Sequence, residues 1–387
     1  MNEIDTVLRR AVDQGEVPGV VAIAATKDAV LYEGAFGRRS LAETGPMDML
    51  TVFRIASMTK AITAAAAMQL VEAGRLALDQ PAGEVVPGLS APQVLKGFDS
   101  AGRPSLRPAQ GTITLRNLLT HTSGFGYDIW NADLLRYHRE TSTPAPRTGK
   151  LAGLSMPLTH DPGTRWQYGI GIDWVGRMIE AATGQDLESV FRARLFAPLG
   201  MRDTSYLVHP DMLPRLAAVH ARTPAGLQPL DLEPNPPREF FPGGGGLHST
   251  ARDYIRFLRM LLGGGALDGA RLLRPETVAL MLQNHIGEID VEPMVSAVPA
   301  SSNNVDLFPG TRQKWGLSFL INTEAVPGGR SAGSVAWAGL NNTYYWLDPN
   351  RGVAGAIFTQ ILPFADPAVL RLLQEFERAA YRALGSA

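Results

Sequence analysis

The stretch RIASMTKAITAAAAMQL, residues 54–70, sets one lysine in an apolar, alanine-rich run. Burying an ammonium group is costly unless the group is paired or gives up its proton. Lys60 is one of only five lysines in the chain, and none of the other four follows a serine by three positions. A lysine can also extend its charged end from an apolar helix into water, and one S-x-x-K tetrad can arise by chance. The tetrad alone therefore leaves open whether this lysine is functional.

Helical spacing would bring Ser57 and Lys60 together. If residues 57–73 form one helix, the i, i+3 spacing stacks the two side chains on one face, with Cβ atoms about 5–6 Å apart. A serine hydroxyl is a poor nucleophile until a neighbouring base takes its proton, and a desolvated lysine can be that base or hold another one in place. The unpaired N–H groups of a helix start also favour a developing oxyanion. The tetrad thus suits acyl transfer.

Composition limits the class of protein. The chain has 387 residues, of which 45% are hydrophobic and 19% charged, enough for one large or two ordinary domains. A formal net charge of -1 and the lack of a basic block give no electrostatic footprint for nucleic acid or an anionic membrane. The absence of cysteine excludes disulfides, cysteine nucleophiles and thiolate metal sites. We expect a globular protein that binds small molecules, in an oligomeric state that the sequence does not indicate.

The N-terminal residues do not resemble a secretory signal. The sequence MNEIDTVLRRAVDQ carries early acidic residues and has no unbroken apolar segment. No later run approaches the length of apolar sequence that a membrane helix needs. We therefore predict a cytoplasmic protein with no membrane partner.

Helices are predicted at both ends of the chain. Apolar residues recur at helical spacing from Ile4 to Val12, and Gly15 follows as a stop signal. The last helix is predicted to begin at Pro367, with Asp366 as its N-cap.

Strand signals also lie at both ends. Residues 20–25 and 30–37 are two β-rich runs joined by a short polar turn, which predicts a hairpin. Three more β-rich runs follow near the other end, at residues 315–322, 334–347 and 353–361. The segments between them read as helical or rich in proline and glycine. This arrangement predicts an antiparallel sheet completed by both chain ends, with a large insertion in the middle.

The predicted fold class is therefore α/β, or more strictly α+β. We expect residues 1–86 and 240–387 to form one α/β domain from both termini, with helices flanking the sheet. Residues 87–239 are expected to form a mostly helical inserted subdomain, with the site in the groove between the two parts.

Five motifs occur in an order typical of one superfamily. They are S-M-T-K at 57–60, LLTHTSGFGY at 118–127, YGIGID at 168–173, GGGGLHSTARDYIRF at 243–257 and W-A-G at 337–339. Together they resemble the serine β-lactamase-like superfamily and, within it, the family VIII carboxylesterases, relatives of class C β-lactamases and DD-peptidases. S-x-x-K is a known motif of β-lactamases and penicillin-binding proteins. The resemblance spans nearly the whole chain and implies a β-lactamase/DD-peptidase-like fold.

The resemblance implies a catalytic group of three side chains. Ser57 would be the nucleophile and Lys60 its activating partner. Tyr168 would be the tyrosinate-like base that returns the proton to the leaving alcohol. A tyrosine hydroxyl ionises near pH 10 in water, so it can act as a base at neutral pH only if a cation stabilises its phenolate. Without the motif order, Tyr168 would read as an aromatic residue at the rim of a site.

The resemblance also implies supporting residues. The oxyanion hole would consist of the backbone N–H groups of Ser57 and Leu340, the second of which directly follows W-A-G on a strand edge. Four further residues would support or line the substrate site: Tyr127, Asp173, Trp337 and Gly339. On the sequence alone, Asp173 could equally be a capping aspartate and Tyr127 a packed aromatic.

Two departures from the superfamily pattern bear on the substrate. β-Lactamases and DD-peptidases usually carry K-T-G on that strand, where a cation and a hydroxyl hold the carboxylate of the substrate; Trp337 and Ala338 offer neither. Ile170 replaces the asparagine of the Y-x-N motif, which removes a further polar contact. We therefore expect a serine carboxylesterase that hydrolyses small neutral esters with short acyl groups, through an acyl-enzyme on Ser57.

Other functions stay open. An acyltransferase, or an amide hydrolase of the β-lactamase or D-amino-peptidase type, would use the same chemistry, and a non-catalytic β-lactamase-like binding protein would use none of it.

G-x-S-x-G at 329–333 mimics a nucleophile elbow, but all seven histidines precede Ser331, the wrong order for that fold. His121 and His248 could suggest metal ligands, yet no H-E-x-x-H motif is present. We expect neither a metal nor a cofactor.

Overall fold

The computed structural model describes residues 3–385, and its first part forms a helix, a hairpin and the helix that follows Ser57. The elements of this part are α1 (Glu3–Asp13), β1 (Gly19–Thr26), β2 (Val30–Gly37), β3 (Phe53–Arg54) and α2 (Thr59–Glu72). Gly15 has a φ of 67°, a left-handed conformation that favours glycine, and it stops α1 as predicted. The predicted hairpin is confirmed as β1 and β2.

The middle of the chain combines short helices with two hairpins. Its elements are α3 (Ala82–Val85), β4 (Gln93–Phe98), β5 (Pro104–Pro108), α4 (Leu115–Leu119), α5 (Ala132–Thr141), α6 (Gly171–Thr183), α7 (Leu187–Phe191), α8 (Ala197–Leu199), β6 (His220–Thr223) and β7 (Gly226–Pro229).

The last part contains most of the strands. Its elements are β8 (His248–Ser249), α9 (Ala251–Leu262), β9 (Ala266–Leu267), β10 (Ala270–Arg271), α10 (Pro275–Met281), β11 (Gln313–Trp315), β12 (Leu320–Asn322), β13 (Val335–Gly339), β14 (Thr343–Asp348), β15 (Val353–Phe358), β16 (Ile361–Leu362) and α11 (Pro367–Gly385). Oδ1 of Asp366 accepts the backbone N–H groups of Ala368 and Val369 at 3.0 and 3.2 Å, which confirms the predicted N-cap of α11.

The main sheet joins the two ends of the chain. In the described residues it has seven strands in the order β11-β12-β13-β14-β15-β1-β2, and every neighbouring pair is antiparallel. β1 pairs with β15, with Val21 opposite Phe358. The predicted antiparallel sheet, completed by strands from both ends, is confirmed.

Two of the predicted β-rich runs are interrupted. Residues 315–322 do not form one strand, because Ser318 has a φ of 77° and the chain turns back between β11 and β12. Residues 334–347 likewise divide into β13 and β14, and Asn342 in the turn has a φ of 59°. Asparagine tolerates this left-handed conformation better than most residues. The first break falls within a largely apolar run and left little signal in the sequence, whereas Asn341 and Asn342 at the second break are residue types common in turns.

Helices cover both faces of the sheet. Neighbouring residues of a strand point to opposite faces, and β14 shows this directly. Tyr345 packs on Tyr254 of α9 with ring centroids 5.5 Å apart, whereas Trp346 packs on Phe376 of α11, also at 5.5 Å. The predicted α+β fold, an antiparallel sheet with flanking helices, is thus confirmed.

The division into a domain of residues 1–86 and 240–387 and an insertion of residues 87–239 stays a prediction. The middle segment holds the hairpins β4–β5 and β6–β7 as well as helices. Its strand β6 also pairs in parallel with β16 from the last part of the chain. Hydrogen bonds therefore cross the predicted boundary.

Among residues 3–385, no helix is both long and apolar enough to span a lipid bilayer. The cytoplasmic location stays a prediction.

Asp253 of α9 attaches this helix to residues 203–204 by hydrogen bonds. Its carboxylate accepts the backbone N–H of Asp203 at 2.8 Å and the hydroxyl of Thr204 at 2.9 Å. Burial is the main cause that raises the pKa of Asp253 from 3.8 to about 6. Between pH 3.8 and about 6 the carboxyl group is protonated in the folded protein but ionised in the unfolded chain. This group therefore favours the folded state at low pH, and its contribution to stability is lost as the pH rises through this range.

Asp253→Asn should flatten the pH dependence of stability. Raising the pH from about 4 to about 7 should cost the wild type about 2 kcal/mol through this group, and the uncharged amide cannot contribute that loss. Thermal unfolding midpoints at both pH values would measure the difference, with the exposed Asp231→Asn as control. Identical pH profiles for Asp253→Asn and the wild type would contradict the assignment.

Candidate active site

Ser57 lies in a tight turn rather than in the α-helix. The predicted helix over residues 57–73 is observed as a 3₁₀ turn, Ala56–Met58, followed by α2 from Thr59. Ala56 precedes Ser57 with a φ of 45°, a strained conformation for a residue with a side chain. Neighbours hold this backbone in place: a Cβ on Gly339 would lie only 2.3 Å from the carbonyl oxygen of Ile55. Close packing under the turn therefore fixes the position of Ser57.

Lys60 contacts Ser57, as the i, i+3 spacing predicted. The lysine has no exposed surface. Its Nζ donates to Oγ of Ser57 at 3.1 Å, to Oη of Tyr127 at 3.2 Å and to the carbonyl oxygen of Gly244 at 2.6 Å. Three acceptors match the three donors of an ammonium group. The lysine does not extend into water; it is buried with every donor used.

A closed ring of hydrogen bonds holds this lysine. The backbone N–H of Gly244 donates to Oδ1 of Asp173 at 2.8 Å, while the carbonyl oxygen of the same residue accepts from Lys60. Oη of Tyr127 lies 3.5 Å from Oδ2 of Asp173 and closes the ring. Asp173 is not a helix cap, since α6 has no side-chain cap at its start. We call Lys60, Gly244, Asp173 and Tyr127 the lysine ring.

The charges of the ring set the protonation of its neighbours. Burial raises the pKa of Asp173, and the charge of Lys60 opposes that rise. Burial and the charge of Asp173 raise the pKa of Tyr127 well above its usual value of 10.0. Burial and the charge of Lys60 lower the pKa of His121 well below 6.5. At neutral pH Tyr127 therefore keeps its proton, and the low pKa of His121 makes its neutral ring a weak base, so neither is suited to take a proton from Ser57.

Tyr168 lies beside Lys60 but is held from the other side. The lysine Nζ is 4.8 Å from the centre of its ring, and the hydroxyl accepts the indole N–H of Trp337 at 3.1 Å. The ring also packs on Tyr127 with centroids 5.3 Å apart. In this structure the Tyr168 hydroxyl is not hydrogen-bonded to Lys60 or Ser57. Catalytic hydrogen bonds often tighten only when substrate binds, so this geometry does not exclude Tyr168 as the base. The role of Tyr168 as the base stays a prediction.

The W-A-G strand lies behind the site. Trp337 contacts Tyr168 from the buried side, and Gly339 packs on the backbone of Ile55. Leu340 and Ser57 line one cleft, the arrangement that an oxyanion hole between their N–H groups requires. The oxyanion hole and the substrate-binding roles of Trp337 and Gly339 stay predictions.

The cleft has a volume of about 320 Å³. Ser57, Tyr127 and Asp173 reach it from the lysine ring and the turn before α2. Two arginines in its wall, Arg54 and Arg238, were not singled out from the sequence. Charge count could not have found them among so many arginines, because what sets them apart is their position in the wall of the cleft.

The glycine run at 243–246 is part of one of the five motifs, but its role at Lys60 was not predicted from the sequence. A Cβ on Gly243 would lie 2.4 Å from the carbonyl oxygen of Ile172, so only glycine fits there. Within residues 3–385, no group of three or more histidine, cysteine or acidic side chains is arranged to hold a metal ion.

Gly244→Ala should slow the reaction of Ser57. Its Cβ would lie 2.8 Å from Oδ2 of Asp173 and 2.9 Å from Oη of Tyr127, so the lysine ring must shift. At the adjacent Gly245 the nearest atoms, which belong to Ala56, would be 3.8 Å away. We expect covalent labelling of Ser57 by a fluorophosphonate to slow at least about tenfold in Gly244→Ala and much less in Gly245→Ala. Equal rates in the two variants would contradict a role for the ring.

Comparison with known proteins is in line with the site and the fold. The Beta-lactamase family model matches residues 4–380. Monacolin J acid methylbutanoyltransferase from Aspergillus terreus is 34% identical over an alignment of 395 positions, gaps included, which covers 98% of this chain and 95% of that protein. Lovastatin esterase from Penicillium rubens is 32% identical over an alignment of 394 positions, which covers 98% of each protein.

Solved structures agree with this result. The LovD6 variant of simvastatin synthase from Aspergillus terreus superimposes with a TM-score of 0.86 at 32% identity, covering 99% of this chain and 97% of that chain. The relatives include acyltransferases and an esterase. The chain therefore belongs to the Beta-lactamase family, as a serine enzyme of its hydrolase and acyltransferase branch.

Proposed function

We propose that this enzyme takes a short acyl group from an ester onto Ser57 and passes it to an alcohol, with water as a competing acceptor. The observation that carries the proposal is the 3.1 Å hydrogen bond from the fully buried Nζ of Lys60 to Oγ of Ser57. A cation at this distance stabilises the serine oxygen as it loses its proton. The family match over residues 4–380 adds support, because that family was predicted from the five motifs.

The proposed reaction has two acyl transfers. Oγ of Ser57 attacks the ester carbonyl, and the hydroxyl proton passes to Tyr168, whose phenolate the nearby cation of Lys60 favours. The backbone N–H groups of Ser57 and Leu340 bind the oxyanion of the tetrahedral intermediate. The leaving alcohol takes the proton from Tyr168, and an acceptor alcohol or water then repeats the same steps in reverse order on the acyl-enzyme.

Transfer to an alcohol takes precedence over simple hydrolysis in this proposal. Relatives that match 98% of the chain include a methylbutanoyltransferase as well as an esterase, and the identities are nearly equal at 34% and 32%. Both activities share the acyl-enzyme and differ only in which acceptor reaches it. The assignment to the family VIII carboxylesterases stays a prediction.

Ser57→Ala and Lys60→Met test the chemistry. With p-nitrophenyl butyrate the wild type should show a burst of p-nitrophenol and a butanoyl adduct on Ser57 by mass spectrometry. Ser57→Ala should show neither, and Lys60→Met should lower kcat/KM by about 100-fold or more. Lys314→Met is the matched control, since Lys314 is a buried lysine that donates to the carbonyl oxygens of Gly287 and Ile289 outside the site. Unchanged turnover in Ser57→Ala would refute the proposal.

Added butanol separates the two acceptors in the same assay. Transfer predicts that butyl butanoate forms at the expense of free butyrate while the amount of p-nitrophenol released still reports acylation. An unchanged yield of free butyrate at high butanol would favour hydrolysis.

Tyr168→Phe and Tyr127→Phe distinguish the two tyrosines next to Lys60. Because burial and Asp173 keep Tyr127 protonated, we expect Tyr168→Phe to slow acylation by about 100-fold or more and Tyr127→Phe by about tenfold or less. Single-turnover rates of p-nitrophenol release would measure both. The opposite order would assign the proton transfer to Tyr127.

A further inference from the structure

We propose that a second cavity, on the opposite side of the main sheet from Ser57, binds a small uncharged molecule with an apolar body and one carbonyl oxygen, and that Arg330 is the donor that recognises this oxygen. The inference goes beyond the proposed function and does not depend on it. None of the residues that line this cavity also lines the cleft at Ser57. The two sites are therefore separate.

The cavity lies between the main sheet and α11. Its volume is about 220 Å³. Its apolar wall comes from the sheet, from α11 and from the loop before β11, and includes Leu307, Phe308, Ala336, Leu370 and Leu373. A cavity of about 150 Å³ can hold benzene, so this one has room for an aromatic ring with a small substituent. The wall thus fits a compact apolar body.

Ser57 lies on the other face of the sheet. Trp346 of β14 faces α11, whereas its neighbour Tyr345 packs on Tyr254 of α9. The hydroxyl of Tyr254 donates to the carbonyl oxygen of Met58, the residue after Ser57, at 3.0 Å. The sheet therefore separates the cavity from the nucleophile.

Arg330 is a buried cation in the wall of the cavity, with 4% of its surface exposed. Its Nε donates to Oε1 of Glu377 at 2.9 Å, and its Nη2 donates to Oε2 of the same carboxylate. The backbone N–H of Arg330 also donates to Oε1, at 3.1 Å. One carboxylate therefore neutralises the charge of Arg330 and fixes the orientation of its guanidinium.

The segment around Arg330 is shaped for this contact. It is the G-R-S-A-G sequence at 329–333 that mimics a nucleophile elbow. A Cβ on Gly329 would lie 2.6 Å from Oε1 of Glu377, so a side chain there would displace the carboxylate. The backbone N–H of Ser331 donates to Oδ2 of Asp348 at 2.8 Å and holds the segment from the other side. The motif thus anchors a cation at the cavity wall.

One nitrogen of Arg330 is left without a partner. Its Nη1 is buried and has no hydrogen-bond partner among residues 3–385. In a planar guanidinium, Nη1 lies away from the edge that Nε and Nη2 present to Glu377. The rings of Phe308 and Trp346 lie 5.3 and 5.6 Å from the guanidinium carbon. Because a buried donor without an acceptor is costly, an oxygen of a bound molecule would be stabilising at Nη1.

The charges of the wall favour an uncharged molecule. Two arginines and two glutamates line the cavity, so its formal charge is zero: Arg330, Arg378, Glu324 and Glu377. A carboxylate at Nη1 would lie close to the carboxylate that already neutralises Arg330, and like charges repel. A carbonyl oxygen accepts from Nη1 without adding a charge. Glu324 and Arg378 are exposed, so the cavity can be reached from solvent at this rim.

Acetophenone and α-methylstyrene test the recognition of the carbonyl oxygen. The two molecules have nearly the same shape, but a methylene group replaces the oxygen in the second. We expect acetophenone to bind at least about tenfold more tightly, because only the ketone accepts from Nη1. Ligand-detected NMR titrations of the full chain would measure both dissociation constants. Absence of saturable acetophenone binding up to about 10 mM would overturn the proposal.

Three variants locate the site. Arg330→Met combined with Glu377→Met removes the donor without leaving a buried unpaired charge, and this double variant should bind the two probes equally. Leu373→Trp should fill the cavity and weaken acetophenone binding at least about tenfold. Leu340→Trp, in the wall of the cleft at Ser57, is the matched control and should change that binding less than about threefold. Each variant is titrated below its thermal unfolding midpoint.

Three further outcomes would contradict the proposal. Loss of acetophenone binding in Leu340→Trp but not in Leu373→Trp would place the molecule in the cleft at Ser57. An unchanged preference for the ketone in the double variant would exclude Arg330 as the donor. Tighter Arg330-dependent binding of benzoate than of acetophenone would assign the cavity to anions. None of these results bears on the proposed function, which is measured separately by turnover of p-nitrophenyl butyrate.

Discussion

A cation buried without any exposed surface is the constraint around which this structure is built. Lys60 is tolerated because Ser57, Tyr127 and Gly244 supply one acceptor for each of its donors. The small side chains of α2 allow this helix to lie fully inside the molecule, and the glycine run allows a carbonyl group to reach the ammonium. Sheet, helix and glycine loop are thus all needed to place one proton donor 3.1 Å from one hydroxyl.

Burial and nearby charges fix the protonation of the side chains around Lys60. Around Lys60, burial and the charge of Asp173 keep Tyr127 protonated, while burial and the charge of Lys60 lower the pKa of His121. Tyr168 lies beside the same cation and stays the predicted base. Strand β13 carries no cation at residues 337–339, and its Trp337 supports Tyr168 from behind instead.

Much of this organisation could be predicted from the sequence, and the exceptions have physical reasons. Ser57 and Lys60 were predicted because an i, i+3 contact is local, and the shared sheet because β-rich runs stand at both ends. The break at Ser318 was missed, since a left-handed residue other than glycine leaves no trace in the hydrophobic pattern. Gly244 was missed because its importance arises from groups far away in the chain, the carboxylate of Asp173 and the ammonium group of Lys60.

The pairing of β1 with β15 has a consequence for how the protein is made. Val21 meets Phe358 in the finished sheet, so the first hairpin leaves the ribosome long before its partner strand exists. Until then one edge of the hairpin is unpaired. Strands joined over such sequence distances form late and slowly. Gly339, which packs against Ile55 under the serine turn, lies in the same late-made part of the chain. The turn that carries Ser57 therefore receives this support only after most of the chain has been translated.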